Sequence, residues 1–201
     1  MILNRENVMK TIGLTGGIGT GKSTVSSYLA LQKGAVIIDA DLIARDITEK
    51  GKPAMKKLVD TFGRSILTES GQLDRKRLGE MVFNDPEKLE QLDGIMLNAI
   101  IDEVKRQVGE AAEYGTKYAV VDAPLLFEVG FDQYVDEVWV VDASLQTRID
   151  RIVERDGISK ELADKKIRSQ MSSNEKIQRA DHVINNSGDV KYLYEQVDRL
   201  I

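Results

Sequence analysis

Gly16-Gly-Ile-Gly-Thr-Gly-Lys-Ser23 decides how this chain folds. The string satisfies G-x-x-x-x-G-K-[S/T], and its neighbours supply the context it needs. Before it runs Thr11-Ile-Gly-Leu-Thr15, a short apolar run that predicts a buried strand. After it, Ser23 to Gln32 puts Val25, Leu29 and Ala30 at helical spacing, and Lys33-Gly34 stops the helix. Glycines between a strand and a helix let backbone N–H groups turn inward, and the helix aims its positive dipole end at the same point. Both favour a polyphosphate. Lys22 reaches the β and γ oxygens of such a ligand, and the Ser23 hydroxyl is placed to ligate Mg²⁺. Chance alone produces the string in about one sequence in a hundred of this composition, before the strand and helix are required.

Four further strands follow: Ala35-Val-Ile-Ile-Asp39, Tyr118-Ala-Val-Val-Asp122, Glu137-Val-Trp-Val-Val-Asp142 and His182-Val-Ile-Asn185. Each ends in Asp or Asn, at the edge where open parallel sheets bind ligands. Helical patterns lie between them, which predicts right-handed crossovers and a three-layer α/β fold on a five-stranded parallel sheet. Two intervals are too long for single crossovers. Leu42 to Lys117 reads as several short helices, broken at Gly51, Pro53, Gly63, Gly71 and Pro86. It predicts an inserted helical subdomain. Ser144 to Ala180 is helical and rich in Arg and Lys, and predicts a lid. The last helix spans about Asp189 to Ile201, with Val190, Leu193, Tyr194, Val197 and Leu200 on one face. The expected organisation is one domain over 1–201. Its core covers about 8–42, 117–143 and 180–201, its insertion about 43–116 and its lid about 144–179.

Composition narrows the chemistry. The 201 residues include no cysteine and one histidine, His182. Thiolate metal sites, cysteine nucleophiles and multi-histidine metal sites are excluded. With 28 Lys+Arg against 33 Asp+Glu, the net charge is −5, which argues against a nucleic-acid partner. Met1 to Lys10 is polar, lacks a secretory apolar run, and reads partly as a leader before the first strand. No apolar stretch is long enough to span a membrane. A cytoplasmic enzyme is expected, and its oligomeric state is not legible here.

A guanine-reading N-K-x-D string is missing, which disfavours a GTPase. The long insertion after the second strand favours a small-molecule kinase. Such a kinase needs a carboxylate to take the proton of the acceptor hydroxyl, and Asp39-Ala-Asp41 offers two at a strand's end. One of them could equally cap a helix. Asp122 ends the third strand, where an acid holds Mg²⁺ or caps the turn before Pro124. Arg148, Arg151 and Arg155 lie at i, i+3 and i+7, on one helical face that could close over the phosphates or pair with Asp150 and Glu154. His182 and Trp139 read as packing residues, and Tyr28 receives no role.

Five segments together resemble the dephospho-coenzyme A kinase family. They are Gly13-Leu-Thr-Gly-Gly-Ile-Gly-Thr-Gly-Lys-Ser23, Ile38-Asp-Ala-Asp-Leu-Ile-Ala-Arg45, Gly71-Gln-Leu-Asp-Arg75 with Leu78, Asp122-Ala-Pro-Leu-Leu-Phe-Glu128 and Ala180-Asp-His-Val-Ile-Asn185. The resemblance runs from about Thr11 to Leu200. It implies transfer of the γ-phosphate of ATP, with Mg²⁺, to the 3′-hydroxyl of dephospho-CoA. It implies a five-stranded core, a helical CoA-binding region and a lid. Gly17, Ile18, Gly19, Thr20, Gly21, Lys22, Ser23 and Thr24 would then hold ATP, with Arg148 and Asn185, although the family often has Gln where Arg148 stands. Asp41 would be the base and Asp39 the runner-up. Arg151 matches the lid arginine and would act with Lys22 in catalysis. Thr15, Arg45 and Arg75 would lie on the acceptor side, and Ser23 and Asp122 would face Mg²⁺. One departure is clear: the family's His-Pro pair is replaced in Leu97-Asn98-Ala99-Ile100. A nucleoside or nucleotide kinase, and a nucleotide-dependent switch that transfers nothing, are the alternatives.

Overall fold

The computed structural model describes residues 9–201, so the leader expected at Met1–Lys10 lies outside it up to residue 8. Five strands form: β1 (Lys10–Thr15), β2 (Val36–Asp39), β3 (Tyr118–Asp122), β4 (Glu137–Asp142) and β5 (His182–Asn185). They make one parallel sheet in the order β2-β3-β1-β4-β5. The register sets Leu14 opposite both Asp122 and Trp139, and Asp142 opposite Asn185. The strands are β-branched and apolar because a parallel sheet is covered on both faces.

The helices are α1 (Lys22–Lys33), α2 (Ala40–Asp46), α3 (Pro53–Phe62), α4 (Arg75–Phe83), α5 (Pro86–Glu113), α6 (Leu145–Asp156), α7 (Lys160–Arg168), α8 (Ser173–Arg179) and α9 (Val190–Asp198). Two compact units result. One runs up to Ile38 and again from Val108 to Ile201, and the other is Asp39–Gln107.

The first unit carries the sheet. Ile12, Leu14, Trp139 and Ile184 meet Val25 and Leu29 of α1 and Leu193 and Val197 of α9, all fully buried. Tyr28 stacks on Tyr194 at 4.0 Å between ring centroids and donates its hydroxyl to Asp198. Trp139 is core, as its apolar strand predicts, and His182 packs edge-on against it. In α6 and α7, Ile152, Ala163 and Ile167 form a small cluster that also takes in Ile18 of the glycine loop.

Asp156, at the end of α6, accepts from Arg155 and from Lys166 of α7, and these cations hold its carboxyl down at about 2. A depressed carboxyl stabilises the fold above its ordinary range and loses that contribution as pH falls through the folded value. Thermal melts should therefore show the parent losing more stability than Asp156→Asn between pH about 5 and about 2.

The second unit is helical around Leu58, Phe62, Ile66, Leu78 and Val82. Pro53 and Pro86 start α3 and α5, and Gly63 ends α3. The sequence predicted only short helices here, but α5 is one helix of 28 residues. No proline follows Pro86 within it. Gly94 and Gly109 face open space, so each costs only about 1 kcal/mol of helix propensity. The Leu97-Asn98-Ala99-Ile100 stretch lies in its middle. Among the described residues no helix is long and apolar enough to cross a membrane.

Candidate active site

The loop between β1 and α1 is built from backbone. Gly19 and Gly21 have φ of +81° and +84°, left-handed values that side chains rarely adopt. At Gly17 a Cβ would overlap the Arg148 guanidinium. Thr20 is fully buried and ties the loop to itself, donating through both N–H (3.2 Å) and Oγ1 (2.9 Å) to the Gly17 carbonyl. The amides of Gly19, Gly21 and Ser23 meet no protein acceptor among the described residues. No side chain caps the N-terminus of α1. The result is a ring of donors at the positive end of a twelve-residue helix.

Half-buried Lys22 forms an ion pair with buried Asp122. Asp122 ends β3 beside the loop, and its Oδ1 is buried with no hydrogen-bond donor beyond the Lys22 ammonium. Ser23 is exposed at the start of α1. Thr15, the last residue of β1, is fully buried and donates its hydroxyl to the Pro124 carbonyl (3.2 Å).

The three arginines of α6 sit at three depths. Arg148 is 6% exposed; it donates Nε to the Ile18 carbonyl (2.9 Å) and Nη1 to Ser173 (3.0 Å). Burial pulls its pKa below the ordinary arginine value, and Asp142 nearby works against that. Arg151 donates Nη1 to the Gly19 and Thr20 carbonyls and Nη2 to the Asn186 carbonyl (3.0 Å). Arg155 is exposed and paired with Asp156 rather than with Asp150 or Glu154. At the end of β5, Asn185 is exposed and its Oδ1 caps the Ser187 amide. The buried neighbour is Asn186, which donates Nδ2 to the Thr20 carbonyl (2.7 Å). Gln170 accepts from the Ile18 amide (2.8 Å). Sequence reasoning missed Gln170 and Ser173, which carry no local signal.

The second unit holds the other predicted residues. Asp39 caps α2: its Oδ1 accepts from the Asp41 amide (2.9 Å) and the Leu42 amide (3.0 Å). Asp41, in the first turn, is exposed, and its carboxylate has no partner among the described residues. Arg75 donates Nη2 to the buried Thr48 hydroxyl (2.7 Å). Arg45 and Arg75 line one cavity of about 510 Å³ with Lys50, Glu49, Ser70 and Gln72. None of these three cations is in an ion pair among the described residues.

A strand, a glycine loop with free amides, a helix and a Lys–Asp pair at the sheet's edge define a phosphate-loop nucleotide-binding domain. Residues 10–192 match the dephospho-CoA kinase family. The chain is 46% identical over 190 residues to a dephospho-CoA kinase of Carboxydothermus hydrogenoformans, covering 94% of this chain and 92% of that protein. It is 46% identical to one of Fusobacterium nucleatum over 188 residues, covering 94% and 95%. A solved dephospho-CoA kinase from Campylobacter jejuni superposes with a TM-score of 0.70 at 28% identity, covering 96% of each chain. The chain belongs to the dephospho-CoA kinase family.

Proposed function

We infer that the chain transfers the γ-phosphate of ATP to the 3′-hydroxyl of dephospho-CoA, releasing CoA and ADP. The match to the family across residues 10–192 carries this reading, and the intact loop supports it. The loop amides and Lys22 bind the phosphates. The 3′-oxygen attacks the γ-phosphorus, the bond to the ADP oxygen breaks, and Asp41 takes the 3′-hydroxyl proton. Asp41 suits this role because Asp39 is committed to the helix cap and Asp41 is not. Arg151 stabilises charge on the transferring group. The cations Arg45, Lys50 and Arg75 give the acceptor's phosphates an anion seat in the second unit.

Mg²⁺ fits the residues present, since Asp122 offers a carboxylate at the end of β3 and Ser23 an exposed hydroxyl at the start of α1, both hard oxygen ligands. Asp122 and Ser23 would hold it, and when bound it neutralises charge on the phosphate oxygens.

The test is a panel of acceptors in coupled ADP release, with mass analysis of the product. Dephospho-CoA should be the best acceptor and gain one phosphate at the 3′ position. A nucleoside or its monophosphate performing better would defeat this reading. Arg151→Ala should cut turnover about 100-fold while ATP affinity changes far less, measured as kcat against nucleotide Kd.

A further inference from the structure

Lys176 is 1% exposed, although lysine is seldom buried unless paired. It lies on α8, and all three of its ammonium donors are used. One goes to the Pro124 carbonyl (2.8 Å), and two go to the Glu128 carboxylate (2.9 and 3.0 Å). The Pro124 carbonyl also accepts from Thr15, at the threshold of the glycine loop. Two residues before Pro124 is Asp122, and the amide between them, Ala123, is tied to the Leu14 carbonyl (3.0 Å). One turn earlier on α8, Ser173 donates to Asp142 and accepts from Arg148, which holds the Ile18 carbonyl. One short helix thus pins the turn after β3 and braces the loop.

We propose that Lys176 is a positioning residue: by holding the Pro124 turn through its carbonyl and Glu128, it sets the aim of Asp122 toward the metal bound with ATP. The proposal rests on Asp122 being the acid that holds Mg²⁺. A carboxylate offset at the start of a turn cannot present its oxygen to the same point, and outer partners of metal ligands tune affinity in this way.

The test uses the full chain and a fluorescent N-methylanthraniloyl ATP, titrated with saturating MgCl₂ and with EDTA. The readout is the ratio of the two Kd values. Lys176→Met should reduce the tightening that Mg²⁺ gives the parent by about tenfold, and Lys176→Met/Glu128→Gln by a similar factor. In the double variant neither charge is stranded in the interior, which keeps the measurement possible if the single variant does not fold. Glu128→Gln, which keeps an oxygen for the ammonium, should show a smaller loss of the same kind. A lysine that serves only stability would lower Tm and leave the ratio alone. A folded double variant with the parent's ratio therefore overturns the proposal. Asp122→Asn is measured alongside. If it keeps the parent's ratio, the metal assignment fails and the proposal with it. If it loses the ratio while the double variant keeps it, only the role of Lys176 fails.

Discussion

Lys22→Ala should lower turnover by about 10³-fold, the loss expected when a cationic contact to the reacting phosphate is removed from a preorganised site. It should also destabilise the fold, because Asp122 is buried and the Lys22 ammonium answers its charge. Removing one partner of a buried pair costs about 3 kcal/mol, mostly from the charge left behind. The two effects separate in Lys22→Ala/Asp122→Asn. Denaturant melts should show most of the lost stability restored in that double variant, since Asn carries no charge. Turnover, followed by ADP release, should stay at the level of Lys22→Ala or below. If activity returned together with stability, Lys22 would be serving the fold and not the phosphate.

Asp41→Asn should reduce transfer to dephospho-CoA by about 10³-fold, within the range for losing a general base. ATP affinity should stay at the parent's level. Stability should change by less than about 0.5 kcal/mol, since the side chain is exposed and bonds to nothing among the described residues. Asp39 gives the contrasting result. Asp39→Ala removes the cap of α2 and costs about 1 kcal/mol, while Asp39→Asn, an equally good cap, costs little. Transfer should be impaired far more in Asp41→Asn than in Asp39→Asn. Equal losses, or unchanged transfer in Asp41→Asn, would remove Asp41 from the base role.

Much of this was legible residue by residue. The strands were read to within a residue or two because each is a short apolar run, closed by the glycine loop after β1 and by Asp or Asn in the other four. The breaks at Gly51, Pro53, Gly63 and Pro86 fall at helix boundaries or turns, since glycine and proline act on the backbone locally. The reading of several short helices named no break after Pro86, and α5 runs unbroken from there through Gly94 and Gly109 to Glu113. Only packing shows that Gly94 and Gly109 are harmless. The arginines of α6 were read as one face because spacing gives an angle around the axis and not a depth. Arg148 turned out to brace the loop from beneath, with Arg155 in solvent.

By itself the sequence determined the parallel sheet, the glycine loop, the basic and acidic residues available for phosphoryl transfer, and the family they resemble. These depend on neighbours within a few positions, where backbone sterics, capping and side-chain period dominate. Tertiary structure alone decided what each polar group is spent on. It committed Arg148 to a carbonyl 130 positions away, put Asn186 rather than Asn185 against the loop, and buried Lys176 on a carboxylate 48 positions off. A buried charge or amide must find its partner wherever the fold brings one within about 3 Å, and no local pattern encodes that meeting.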